Sequence, residues 1–169
     1  VPERLQVPVF FKLFLLALVL VGFAAGVALW LNRGAQVRLD GRIVKVRTIA
    51  TDDNASIAVL EIRFSNPADT PFVVRDVRIS AIDANGVEVE GMPVIQSDLD
   101  RVLDYYKAVG PRYNPVLRAK ERFRKGEGGD RTVAGSFNLP EAALKARRNL
   151  KVFIEDVDGY VVEIAERGR

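Results

Sequence analysis

Residues 13–31 carry no charged side chain, and that run constrains the chain more than any other feature. Its nineteen residues at 1.5 Å rise span roughly 28 Å as a helix, about the hydrocarbon thickness of a bilayer. From Val7 the apolar stretch is longer still, interrupted only by Pro8 and Lys12. Lys12 lies near one end, where its stem can reach the headgroups, and Trp30 lies at the other, at the depth that aromatic belts favour. Asn32, Arg33 and Gly34 end the run. The expectation is a transmembrane helix over 9–31, after a flank at 1–8 and before a juxtamembrane linker at 32–36. The run is too long for the apolar region of a signal peptide and no clear Ala-x-Ala site follows it, which favours an uncleaved anchor. The first residue is Val, which leaves open whether residues precede it.

About 135 residues follow the span, enough for one ordinary domain. The net charge of +3 includes +2 from Glu3, Arg4, Lys12 and Arg33 beside the span. The domain is therefore close to neutral, too balanced for a nucleic-acid binder. There is no cysteine and no histidine, which removes disulfides, thiolate nucleophiles, histidine bases and Cys or His metal sites. Basic residues flank both sides of the span. Those on the far side fall largely in a predicted strand, and folded domains translocate largely regardless of charge. The expected orientation puts the N-terminus inside and the domain on the extracytoplasmic, periplasmic side of the cell membrane.

Beyond Gly34 the apolar period changes to two. Strands are predicted over 42–50 and 56–65, joined by the turn cluster Thr51-Asp52-Asp53-Asn54-Ala55. In the second strand Ala58, Leu60, Ile62 and Phe64 share one face while Glu61 and Arg63 face away, as in a sheet buried on one side. Further strands are predicted over 72–83, 87–90, 117–123, 131–138, 150–157 and 160–165. Asn85-Gly86 and Asp158-Gly159 supply hairpin turns. Two helical pieces interrupt them. One begins at Ser97 as N-cap, stops at Gly110-Pro111 and places Leu99, Val102, Leu103 and Tyr106 on one face; the other covers 140–148. The expected fold is mainly β: an immunoglobulin-like antiparallel β-sandwich over 37–169, preceded by one transmembrane α-helix, with one or two short inserted helices and a helical insertion at 97–114.

The order of strands, Ser65-Asn66-Pro67 and Asp83-Ala84-Asn85-Gly86 resembles the late-embryogenesis-abundant type 2 and related FxLYD-like sandwich domains, many of them tethered by one N-terminal helix. The resemblance covers roughly 37–164 and rests on turn-level motifs; the long excursion at 96–114 departs from it. It implies a binding or scaffolding module with no shared catalytic residues.

Three groups of residues are candidates for contact. Gly22 and Gly26, with Leu18 and Trp30 on the same stripe, form a Gly-x-x-x-Gly surface on which a second helix can pack closely, although this spacing also recurs by chance in membrane helices. Arg118, Lys120, Arg122 and Arg124 alternate along a predicted strand and would share one face. Such a row attracts anionic headgroups or an acidic partner, and as a solvated face it equally protects an edge strand, the reading favoured here. Tyr105, Tyr106 and Tyr113 lie in the excursion and make it the expected site of partner contact. Asp156-x-Asp158-Gly159 resembles a fragment of a calcium loop, but the remaining ligands are missing and a hairpin explains it better. Residues 125–130 are glycine-rich without the Gly-Lys-Ser/Thr ending of a phosphate loop.

These observations predict a non-catalytic single-span protein without cofactors. Its expected partners are the lipid bilayer and other integral membrane subunits, with no nucleic acid. The role expected first is an accessory or scaffolding subunit of a larger membrane complex, such as a respiratory or photosynthetic electron-transfer assembly. The alternative is a free-standing cell-envelope module that binds lipid, glycan or peptide.

Overall fold

The computed structural model describes residues 9–32 and 39–166. The flank at 1–8 and all but Asn32 of the predicted linker lie outside the described residues, as do the side chains of Lys12 and Trp30. The chain divides into two units, Val1–Gln36 and Val37–Arg169.

The first unit holds one helix, α1 (Val9–Asn32), of 24 residues. Every described side chain on it is exposed, from Phe10 through Val27. A helix apolar all round has no face suited to water, so these side chains call for apolar surroundings. The longest uninterrupted stretch with described side chains is 13–27, and among the described residues no helix is long and apolar enough to cross a membrane.

The second unit is mainly β, an antiparallel sheet curled over a common core. Its strands are β1 (Asp40–Ala50), β2 (Ser56–Ser65), β3 (Phe72–Ile82), β4 (Glu88–Pro93), β5 (Arg122–Phe123), β6 (Gly128–Phe137), β7 (Asn149–Asp156) and β8 (Val161–Ala165). The order is β1-β2-β6-β4-β3-β7-β8, with the short β5 beside β3. β4 makes the curl: its first half pairs with β3 from Glu88 to Gly91, and Met92 and Pro93 pair with β6. The sheet thus acts as two layers, consistent with a β-sandwich. Between them Leu60, Ile62, Phe72, Ile79, Phe137, Leu150 and Ile154 are fully buried.

The predicted inner face of β2 holds, since Ala58, Leu60, Ile62 and Phe64 all lie in this core. The predicted solvent face does not. From Ser56 to Ile62 every residue of β2 is buried, because a second apolar cluster covers the outer side. There Ile49, Ile57, Val59 and Ala134 meet Leu99 and Leu103 of α2 (Gln96–Tyr105), with Val102 and Tyr106 packed at the margin. The helical spacing read from sequence is therefore the packing face of α2. Its N-cap is Ile95 rather than Ser97, with no side-chain cap, and the α-helix ends at Tyr105, before a 3-10 turn over Lys107–Val109. The second predicted helix shrinks to α3 (Glu141–Lys145).

The predicted strand at 117–123 is a further correction. Only Arg122 and Phe123 are extended in a ladder; Lys120 takes φ 69°, and the Glu121 N–H turns back to the Arg118 carbonyl at 3.3 Å. A left-handed residue ends the alternation, so Arg118, Lys120, Arg122 and Arg124 do not form a strand row, although all four are exposed.

Both glycine hairpins share one construction. Asp83 begins a turn in which its carbonyl accepts the Gly86 N–H, and Gly86 sits at φ 90°. Asp156 and Gly159 (φ 87°) repeat the arrangement between β7 and β8. This is a three-residue hairpin closed by a glycine bulge, not a two-residue turn with both central residues at positive φ. Asp156 is buried and does more: Oδ1 accepts the Asp158 N–H at 2.8 Å and Oδ2 accepts the Val73 N–H at 2.6 Å. The aspartate read as part of a calcium fragment thus clamps the last hairpin to β3. Replacing it by alanine leaves the Val73 and Asp158 amides without these acceptors. Asp156→Ala is expected to cost about 2–3 kcal/mol, the scale of one or two hydrogen bonds to a charged group, read as a lower urea midpoint with unchanged slope.

Candidate functional site

The excursion at 96–114 is held on the outer face of β1, β2 and β6 by ionic chemistry as well as by apolar packing. Register sets this up. Val44 is the extra residue of a bulge in β1, which keeps Ile43 and Val46 on the inner side and turns Lys45 and Arg47 outward. Arg47 then lies diagonally across from Glu61 of β2. Arg47 Nη2 donates to Glu61 Oε1 at 2.8 Å, with both side chains buried. Glu61 Oε2 accepts from Asn114 Nδ2 and from Thr132 Oγ1, each at 2.8 Å. Arg47 Nη1 points at three successive carbonyls of the excursion: Pro111 at 2.8 Å, Val109 at 3.1 Å and Gly110 at 3.3 Å. Of the Arg47 side-chain nitrogens, Nε alone is buried without a partner among the described residues. One ion pair in the sheet therefore fixes the backbone of a loop more than sixty residues away.

Sequence reading missed this centre, taking Glu61 as a solvated residue. The available signal was a carboxylate between Leu60 and Ile62 on a strand whose hairpin partner carries Arg47. The tyrosines sit around it differently from one another. Tyr113 is exposed at its edge, its ring 5.0 Å from the Arg47 guanidinium and 5.1 Å from Lys45 Nζ. Tyr105 is 81 % exposed and meets Tyr106 edge-on at 4.9 Å, while Tyr106 packs inward against the α2 cluster. Between α2 and the returning loop lies a depression of about 440 Å³ lined by Asp100, Leu103, Asp104, Lys107 and residues 110–112. Arg112 closes one side through Asp100 at 3.0 Å. The result is an ion-paired surface with two exposed tyrosines and mixed charge.

The four basic residues of the predicted row lie elsewhere, around β5. Among the described residues, nothing lies within 4 Å of where a Cβ would stand on Gly22 or Gly26 of the first unit, and Leu18 is exposed. Among the described residues no group of three or more His, Cys, Asp or Glu side chains could hold a metal ion.

Several carboxylates are tuned by their surroundings. Asp83 is held below its ordinary range chiefly by the Val87 backbone N–H, Asp130 chiefly by its hydrogen bond with Arg63, and Glu141 chiefly by Lys145 and then Thr48. Arg63 is correspondingly raised, chiefly by its hydrogen bond to Asp130. Each depressed carboxylate contributes stability that is fully present above its unfolded value, about 4. That contribution is lost as pH falls through the lower folded value. The melting temperature is therefore expected to be level near neutrality and to fall steadily below about pH 4. Asp130→Asn should flatten part of that decline in a circular-dichroism melt series; a melting temperature that rises on acidification would contradict the assignment.

No family model matches the chain, and no curated protein does. Two solved structures from Sulfolobus acidocaldarius are similar to it at low level. One is the archaellum periplasmic stator protein complex FlaF and FlaG, with 14 % identity and a TM-score of 0.32 over 77 % of this chain and 87 % of that one. The other is the archaellum periplasmic stator protein FlaG, with 13 % identity and a TM-score of 0.30 over 75 % of this chain and 98 % of that one.

Proposed function

We propose that this chain is a non-catalytic cell-envelope binding module, anchored in the membrane by α1, whose β domain takes up a protein or peptide partner on the face formed by residues 96–114. The observation that carries the reading is the buried Arg47–Glu61 centre. It ties the 109–111 carbonyls and Asn114 to the sheet, on a segment that carries the exposed Tyr105 and Tyr113. Aromatic rings on a pre-ordered loop bind at low entropic cost. The turn-level resemblance to late-embryogenesis-abundant type 2 and FxLYD-like domains points to the same class of function.

Anchoring rests on the 24-residue apolar helix, and an extracytoplasmic domain is the orientation proposed with it. The absence of cysteine makes the orientation simple to test. A single Asp53→Cys on the exposed 51–55 turn should react with a membrane-impermeant maleimide in intact cells; labelling only after lysis would place the domain inside. The binding face is tested by photo-crosslinkers at Tyr105 and Tyr113 in native membranes. A discrete adduct, absent with the same probe at Asp53, supports the reading. Equal patterns at all three positions, or no adduct, refute it.

The second reading is an accessory subunit of a larger membrane assembly, held through α1. The open space beside Gly22 and Gly26 favours it: among the described residues nothing lies within 4 Å of where a Cβ would stand on either. Co-migration with a large assembly in mild detergent, lost on Gly22→Ile/Gly26→Ile, would establish it. Unchanged migration as a monomer would leave the free-standing module.

A further inference from the structure

We infer that the Asp40 end of the β domain is a docking surface for the anionic headgroups of the membrane that holds α1, an inference that rests on the anchoring just proposed. The register assembles this end from distant segments. Asp40 pairs with Ser65, Ser65 with Gly128, Phe72 with Phe123, and the Val73 carbonyl accepts the Val157 N–H. The start of β1, the β5 region and the β7–β8 hairpin therefore share one end. The 51–55 and 83–87 turns lie at the other.

Two observations give this end its chemistry. The first is a group of exposed cations that no ion pair among the described residues holds. Nearby Lys125 pairs with Asp69 and Arg131 with Glu121, whereas among the described residues no ion pair within 4 Å engages Lys120, Arg122 or Arg124, all exposed. The acidic groups beside them are few. Glu127, which accepts the Arg124 N–H, Asp40 and Asp158 are the exposed carboxylates there. The second is an apolar tip: Val157 is 51 % exposed and Tyr160 42 % exposed on the adjoining hairpin. An aromatic ring and an aliphatic side chain beside unpaired cations match the headgroup layer, where rings sit at the interface and basic side chains meet phosphate.

Chain length supplies the third support. Residues 33–39 join α1 to β1, and seven residues extend at most about 25 Å. The chain thus enters the β domain at its Asp40 end. The sequence offers anionic headgroups as one reading of these residues and a solvated edge as the favoured one; the strand row behind both is broken at Lys120.

The test uses the full chain in lipid nanodiscs, with a fluorophore on Asp158→Cys at the proposed surface or on Asp53→Cys at the opposite end. Discs of phosphatidylcholine alone are compared with discs containing phosphatidylglycerol, and quenching by headgroup-spin-labelled lipid is read. The expected result is stronger quenching at position 158 in the anionic discs. It should be lost at high salt and in Arg122→Glu/Arg124→Glu, with position 53 indifferent throughout. Failure of the chain to incorporate even into neutral discs refutes the anchor and the docking surface together. Incorporation without lipid-dependent quenching at position 158 refutes the docking surface alone. Protection of position 158 by polyglutamate in neutral discs, with no response to anionic lipid, assigns this end to an acidic protein and overturns the inference.

Discussion

Glu61→Ala is expected to destabilise the β domain by about 3–5 kcal/mol, the range for removing one partner of a buried ion pair. The cost arises on the other partner. Arg47 would remain buried with its Nη2 facing no acceptor and its Nε already unpaired. Asn114 Nδ2 and Thr132 Oγ1 would lose the same carboxylate. Chemical denaturation should show a lower midpoint. The structural consequence should be uneven: amides at 96–114 should exchange faster than those of β2 and β6, because the excursion loses its ionic tie while the inter-layer core is untouched. The double variant Arg47→Met/Glu61→Leu separates pairing from packing. It removes both buried charges and should recover a substantial part of the single variant's loss, since replacing a buried pair by apolar groups is often near neutral. If Glu61→Ala costs less than 1 kcal/mol, water reaches the site and the pair does not rigidify the loop. The proposed binding face would then lose its physical basis.

How much of this was legible in the sequence depended on whether the cause was local. The two faces of β2 could be told apart from the alternation of Ala58, Leu60, Ile62 and Phe64 with Glu61 and Arg63. What lies over the outer face could not, because it is supplied by a segment beginning some thirty residues later. Periodicity reports which side a residue faces and not what stands opposite. The same limit explains Asn66. It reads as part of a loop, yet it is fully buried, with Nδ2 donating to the Thr70 and Phe123 carbonyls and Oδ1 accepting the Ala68 N–H. An error of another kind occurred at 118–124. Alternating Arg and Lys is compatible with a strand, and nothing in the residue types announces that Lys120 adopts positive φ. Its backbone does so because the Lys120 N–H is taken by the Val74 carbonyl at 2.7 Å and Val74 N–H by Glu121, a pattern imposed by a strand far away in sequence. The tyrosines divide on the same principle: all three read as partner contacts, yet Tyr106, on the helical face of Leu99, Val102 and Leu103, packs inward while Tyr105 and Tyr113 stay exposed.

The point at which β4 passes between the layers carries the second large expected effect. Phe137 is fully buried in the inter-layer core, and its ring stands over two backbones. A Cβ on Gly91 would meet Phe137 Cζ at 2.6 Å, and one on Gly135 would lie 3.5 Å from Cε2. The ring thus occupies the space that a missing side chain leaves where the strand changes partners between Gly91 and Met92. Phe137→Ala should cost about 3–5 kcal/mol, through lost burial and the cavity left among Ile79, Leu150 and their neighbours. Gly91→Ala alone should cost about 1–3 kcal/mol, because the new methyl would overlap the fully buried Phe137 ring. The two changes should not add. With the smaller side chain at 137, the new methyl at 91 occupies part of the vacated volume. The pair Gly91→Ala/Phe137→Leu should therefore be more stable than the sum of its single variants predicts by about 1 kcal/mol or more, the coupling expected of residues in direct contact. Urea titrations of the four proteins measure that coupling directly. Strict additivity would mean that the ring does not fill the gap over Gly91, and the close passage of β4 between the two layers would need another explanation.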